Sequence, residues 1–169
     1  MHPLAQLVVD VPDFPQPGIL FRDITPLLRS HFAAAIEALD GLWSEPEWAA
    51  TDAVAGVESR GFILAAALAE RRGKGFVPIR KKGKLPPPVV DREYALEYGA
   101  GVLEMQRGQG TLLVVDDVLA TGGTLGASAA LAVDAGFRVP HLGVLIDLGI
   151  ARDFRWQGQP ARAVIRYGG

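Results

Sequence analysis

Asp116 and Asp117 stand at the end of an apolar run, Leu112-Leu113-Val114-Val115, and are followed by Val118, Leu119 and the small-residue turn Ala120-Thr121-Gly122-Gly123-Thr124. Hydroxyls and closely approachable backbone N–H groups at the start of a helix attract an anion. Two carboxylates just before that turn repel a bare phosphate. A ligand that resolves the conflict carries phosphate at one end and neutral hydroxyls a few ångströms away. A ribose 5-phosphate fits: Asp116 and Asp117 accept from its 2- and 3-hydroxyls, and Ala120, Thr121, Gly122, Gly123 and Thr124 hold its phosphate. An ordinary helix cap uses the same residue types, but it needs one of them rather than six in succession.

Other segments offer further polar chemistry. The turn Val57-Glu58-Ser59-Arg60-Gly61 ends a strand and opens a helix, so Ser59, the N–H groups of Arg60 and Gly61 and the Arg60 guanidinium suit a second anion such as pyrophosphate. Arg60 has the alternative of a surface ion pair with Glu58. Arg80, Lys81, Lys82 and Lys84 follow a strand at the same edge. A basic run of this kind is either a solvated face or, for Arg80, Lys81 and Lys84, a means of neutralising charge on a departing pyrophosphate; Lys82 has the option of simply facing water. Glu97, flanked by Tyr94 and Tyr98, is a candidate general acid or base. Phe21, in Leu20-Phe21-Arg22, is either core or a flat surface for a heterocycle, with neighbouring backbone groups to read its edge.

The elements that must position these residues follow from the hydrophobic pattern. Strands are expected at 53–57, 76–79, 112–115, 138–147 and, at an edge, 161–167, with helices at 32–43, 62–72 and 123–135. The first thirty residues are proline-rich and read as an irregular segment folded over something, and 80–101 reads as a long excursion without clear period. The expected fold class is therefore α/β: one domain over residues 1–169 with an open, mostly parallel sheet and helices on both faces, plus a small N-terminal hood at 1–30 and a flexible catalytic loop at 80–101. Ligands of such sheets lie beyond the carboxyl ends of the strands, where these turns fall. With 49% hydrophobic residues among 169, the chain can bury a sizeable core, and its lack of cysteine excludes disulfides and thiolate metal sites. The net charge of −2 gives no global attraction to nucleic acid. No signal-peptide pattern or spanning apolar run is visible, so a cytoplasmic location and no membrane partner are expected. Gly-x-x-x-x-Gly-Lys is absent, which removes a nucleotide triphosphatase loop.

The thirteen residues from Leu112 to Thr124 resemble the phosphoribosyl pyrophosphate (PRPP) signature of the type I phosphoribosyltransferases. Together with Pro12-Asp13-Phe14-Pro15-Gln16-Pro17-Gly18 and Phe21-Arg22-Asp23-Ile24, the chain resembles the adenine phosphoribosyltransferase family from Val11 to Leu148. This resemblance implies purine salvage, in which adenine and PRPP with Mg²⁺ give AMP and pyrophosphate, in a homodimer. It implies that backbone groups of Leu20 and Arg22 read adenine, that Phe21 and Val118 sandwich the ring, and that Ser59, Arg60, Arg80, Lys81 and Lys84 surround pyrophosphate. Glu97 would exchange a proton with the purine, and Mg²⁺ would arrive on PRPP without protein ligands of its own. Two other functions share parts of this pattern. One is a transferase for another purine such as xanthine; the other is a PRPP- or AMP-sensing regulator, which the lack of a helix-turn-helix or basic recognition helix disfavours.

Overall fold

The computed structural model describes residues 2–95 and 99–168. Its strands are β1 (Val9–Pro12), β2 (Leu20–Asp23), β3 (Ala53–Val57), β4 (Gly75–Lys81), β5 (Val90–Ala95), β6 (Ala100–Met105), β7 (Thr111–Leu119), β8 (Arg138–Asp147) and β9 (Arg162–Arg166). Its α-helices are α1 (Thr25–Asp40), α2 (Glu45–Ala49), α3 (Arg60–Arg71) and α4 (Gly123–Asp134), preceded by a 3-10 turn at Pro3–Leu7. Seven strands form one sheet in the order β5-β6-β4-β3-β7-β8-β9. The five from β4 to β9 in that order run parallel, and β6 and β5 close one edge antiparallel.

Burial on both faces explains the central strands. Along β7, Leu113 and Val115 join a cluster with Leu27 and Leu39 of α1, Trp48 of α2 and Leu64 and Leu68 of α3. Leu112 and Val114 face the opposite way, into a cluster with Leu125, Ala129 and Ala132 of α4. The period-2 alternation of a strand thus feeds two cores, and helices cover both faces as the continuous apolar run requires. Each fully buried leucine contributes about 1.5–3 kcal/mol relative to exposure, so each layer holds the sheet without help from crosslinks. Gly56 permits close packing of β3 on α3, because a Cβ there would lie 2.7 Å from that of Ala65 and 2.8 Å from the Gly61 carbonyl oxygen.

The N-terminal segment is more regular than its prolines imply. β1 and β2 form an antiparallel hairpin, with Asp10 opposite Arg22 and Val11 opposite Phe21. The Asp13 carboxylate accepts the Gly18 N–H at 2.8 Å, which fixes the connecting loop. Helix α1 starts at Thr25 rather than near residue 32, since Pro26 sits in the first turn where its missing N–H costs nothing. His31, with φ −138° and ψ 36°, interrupts the helix just before the expected start.

Segment 80–101 also differs from an irregular excursion. β4 runs on to Lys81, and β5 and β6 pair from Val90↔Met105 to Ala95↔Ala100. The intervening turn is stapled by Glu104, whose carboxylate accepts the N–H groups of Gly83 at 3.0 Å, Lys84 at 2.7 Å and Leu85 at 2.7 Å. Arg92 on β5 donates to Asp134 at 2.6 and 3.0 Å, tying the hairpin to the end of α4.

Candidate active site

β7 carries its acids to the carboxyl edge of the sheet, still enclosed. Burial, and then the charge of Asp117, raise the pKa of Asp116 well above the usual carboxylate range, and Arg60 only partly offsets them. The Asp117 N–H donates to Asp116 Oδ1 at 2.8 Å, fixing that carboxylate. Gly61, at the start of α3, makes room for it: a Cβ there would sit 2.8 Å from Asp116 Oδ1. Arg60 is the cation that meets Asp117. Its Oδ2 lies 2.7 Å from Arg60 Nε, yet it is buried without an aligned hydrogen bond. An unmet buried acceptor of this kind favours an incoming hydroxyl donor.

The turn after β7 has the backbone of an anion cradle. Gly122 adopts φ +89° and ψ −7°, and α4 begins at the next residue. That left-handed step turns the chain so that the free N–H groups of the first helical turn lead the helix. Thr121 and Gly123 are exposed, Ala120 and Thr124 half-buried. Phe154, from the segment after β8, fills the space against the turn: a Cβ on Gly122 would approach its Cδ2 to 2.4 Å. The same ring helps line a cleft of about 580 Å³ with Arg152, Arg155, Arg166 and Tyr167. Those arginines donate to backbone carbonyls of residues 149, 152, 154, 161 and 168, and so brace the C-terminal segment.

Ser59 immediately precedes α3, and its side chain makes no capping hydrogen bond. Arg60 does not pair with Glu58. It bridges Asp117 and the Phe21 ring, with Cζ 5.1 Å from the ring centroid. Glu58 instead gathers the basic run. Its carboxylate takes Lys84 Nζ at 2.5 Å, Arg80 Nε at 3.2 Å and the Lys81 N–H at 3.0 Å. Burial pushes the Glu58 pKa up, but the Lys84 and Lys81 hydrogen bonds and the charges of Lys84 and Arg80 outweigh it, and the net shift is downward. The Lys81 side chain pairs with no described acid, and Lys82 turns outward to Asp91 at 3.0 Å.

On the hood, Leu20 is exposed, while Phe21 and Arg22 are half-buried. Phe14 packs edge-on against Phe21, with centroids 5.2 Å apart. Val118 is half-buried against the α1 and α3 side of the sheet. Glu97 lies outside the described residues. One structure therefore brings together Phe21, Arg60 and Asp117, and Glu58 collects Arg80 and Lys84 beside them. The sequence singles out Glu58 only as an alternative partner for Arg60, although it shares a turn with Ser59 and Arg60. Among the described residues no three histidine, aspartate or glutamate side chains converge on a metal position.

Fold and site together define a phosphoribosyltransferase of type I, and residues 30–155 match the phosphoribosyl transferase domain family. An adenine phosphoribosyltransferase of Hydrogenovibrio crunogenus is 50% identical over 167 residues, covering 98% of this chain and 97% of the relative. The crystal structure of the Rhodothermus marinus adenine phosphoribosyltransferase superposes with a TM-score of 0.85 at 43% identity, covering 96% of each chain. The Saccharomyces cerevisiae enzyme, complexed with D-2,5-dideoxy-2,5-imino-altritol 1,6-bisphosphate and adenine, gives 0.83 at 32% identity over 95% of this chain and 94% of that one. The chain belongs to the adenine phosphoribosyltransferase family.

Proposed function

We propose that the protein transfers the 5-phosphoribosyl group of PRPP to adenine, giving AMP and pyrophosphate in purine salvage. The observation that carries this reading is the buried Asp117 carboxylate, whose Oδ2 has Arg60 Nε at 2.7 Å but no aligned hydrogen bond, on the strand that leads into the left-handed turn at Gly122. Asp116 and Asp117 take the ribose hydroxyls, and Ala120 to Thr124 take the 5-phosphate. Ser59, Arg60, Arg80, Lys81 and Lys84 surround the pyrophosphate. Arg60 leaves Phe21 and Asp117 as the base and sugar arrive, and turns to the leaving group. Phe21 and Val118 then cover the two faces of adenine. A backbone carbonyl and N–H at Leu20 and Arg22 match its 6-amino group and N1; a 6-oxo purine reverses both, and such mispairing costs roughly 10⁴–10⁵ in discrimination.

The bond from the anomeric carbon to pyrophosphate breaks as the bond to adenine N9 forms, and the N9 proton passes to Glu97. Positive charge developing on the sugar is met by the acid pair, whose position is set before the reaction by β7 and Gly61. Carried on PRPP oxygens, Mg²⁺ would supply dispersal of charge on the departing pyrophosphate, beside Arg60, Arg80, Lys81 and Lys84. The hairpin carrying Glu97 covers the site and keeps water from the activated sugar.

A homodimer accords with the apolar outer side of α3, where Ile63 is 47% exposed and Phe62 meets Phe76 edge-on at 5.6 Å. Among the described residues no helix is long and apolar enough to cross a membrane. A cytoplasmic location accords with phosphorylated substrates that do not cross bilayers.

Purified protein given adenine, PRPP and Mg²⁺ is expected to release AMP and pyrophosphate in equal amounts; no AMP under these conditions, with the fold intact by circular dichroism, overturns the reading. Glu97→Gln is expected to lower turnover by about 10²-fold or more, in the range of lost general acid–base catalysis. PRPP affinity should change little. Steady-state kinetics with unchanged turnover removes the proton-transfer role.

A further inference from the structure

The hood that faces the base is a weak element by itself. β1 and β2 pair only with one another, and an isolated two-stranded hairpin is marginal in water. Its root is secured by Leu4, Ala5, Val8 and Ile24, all in the core. The Asp23 carboxylate accepts the Thr25 N–H at 2.9 Å where β2 leads into α1; further out, two guanidinium groups link the hairpin to the body, Arg60 at Phe21 and Arg22 at Tyr167, just past β9. Arg60 sits among the groups proposed to take substrate, so its contact with Phe21 is given up during binding. Arg22 has no such competing role.

The Arg22 side chain is only 20% exposed and is fixed at both ends. It forms an ion pair with Asp10, its register partner on β1. Its Cζ also stands 4.0 Å from the centroid of the Tyr167 ring. Tyr167 in turn belongs to the body of the protein. Its N–H donates to the Asp147 carbonyl at 2.9 Å, which extends the β8–β9 pairing by one residue. Its carbonyl is packed against Gly149, where a Cβ would come within 2.2 Å, and the residue packs on the α1 and α3 side of the core.

We infer that Tyr167 is a positioning residue for base recognition: by stacking on Arg22 it locks β2 at a set height over the sheet edge, so that the backbone of Leu20 and Arg22 meets the purine in register. The inference rests on the adenine reading above and adds to it a residue at the far end of the chain. Cation–π stacking that is partly shielded from water accounts for roughly five- to twentyfold in an equilibrium constant. The effect falls on the base and not on PRPP, because the phosphate turn and the acid pair are anchored on β7 and α4.

The test compares Tyr167→Ala, Tyr167→Phe and wild type in steady-state kinetics with adenine and PRPP varied separately. Tyr167→Ala is expected to raise the KM for adenine roughly five- to twentyfold while the KM for PRPP stays within about twofold. Tyr167→Phe, which keeps the ring face, restores the wild-type value. Hydrogen exchange supplies a second readout: the amides of residues 20–23 exchange faster in Tyr167→Ala while those of β7 do not. An unchanged adenine KM, an equal rise in both KM values, no rescue by phenylalanine, or exchange quickened equally throughout overturns the inference. These outcomes are read on a wild-type protein that makes AMP; failure of the wild type to make it counts against the adenine reading instead.

Discussion

Asp116→Asn is expected to make the fold more stable and the enzyme far less active. In the folded protein Asp116 is enclosed beside a second carboxylate, so its ionised form is disfavoured by lost hydration and by like charge. An asparagine keeps the shape and an oxygen for the Asp117 N–H, and its amide donates where the carboxylate repelled. Removing the charge should gain about 1–2 kcal/mol at neutral pH, or roughly 3–6 °C in Tm for a chain of this size. The sign of the pH dependence follows from the raised pKa. The wild type has its full stability below the ordinary carboxylate pKa and loses it as pH rises through the higher folded value, whereas the asparagine variant does not titrate. The Tm advantage of Asp116→Asn therefore vanishes in acid and grows toward neutrality. Activity moves the other way. A neutral amide cannot place negative charge beside the cationic sugar and misdirects the ribose hydroxyls, so kcat/KM for PRPP should fall by about 10²–10³. Thermal unfolding between pH 4 and 8, paired with kinetics, checks both halves. A variant no more stable than wild type at neutral pH contradicts the strained-charge account, and one with intact kcat/KM contradicts the ribose role.

The same contrast between backbone and long-range chemistry explains which features were legible in sequence. β3 and β8 were expected at 53–57 and 138–147 and occur at those bounds. They lie inside the sheet, where burial leaves a near-continuous apolar run. β5 escaped notice because its inward positions are Val90, Arg92 and Tyr94. An arginine in the middle, directed at Asp134 of α4, breaks the apolar alternation that marks a strand. The hood hairpin escaped for a related reason: β1 and β2 have no fully buried residue, so they show no hydrophobic period to read.

Within the site, the acid pair and the glycine-threonine turn were legible because their chemistry is contiguous in sequence. The Glu58 clamp was not. Glu58 meets Arg80 and Lys84 only because β3 and β4 pair in parallel with Val57 opposite Ile79, and that register is a property of the assembled sheet. Local reasoning weighed the nearest opposite charge, Glu58, as the alternative partner for Arg60. The helix that starts at Arg60 carries the guanidinium toward β7 instead, where it meets Asp117. The contribution of Phe154 was equally hidden, since it comes from a segment between β8 and β9 with no period of its own.

That ring makes Gly122→Ala the other substitution with a large expected effect. Two separate penalties meet at one Cβ. A left-handed backbone at φ +89° disfavours any L side chain, by about 1–2 kcal/mol. The added methyl also lands 2.4 Å from Phe154 Cδ2, so the ring or the turn must move, at a further cost of about 1–3 kcal/mol. Together these predict a loss of about 2–5 kcal/mol and a fall in Tm on the order of 10 °C. Function should suffer beyond stability, because the N–H groups after Gly122 must point at one phosphate position and a displacement near 1 Å costs about 10²-fold. Pairing the change with Phe154→Leu separates the two penalties. Phe154→Leu relieves the steric conflict and leaves the dihedral strain, so the double variant should recover part of the Tm lost by Gly122→Ala, and less of its PRPP affinity. Calorimetry and PRPP titration of both variants check this. Strictly additive Tm losses mean that Phe154 does not press on the turn, and wild-type PRPP affinity in Gly122→Ala means that the phosphate does not depend on its backbone.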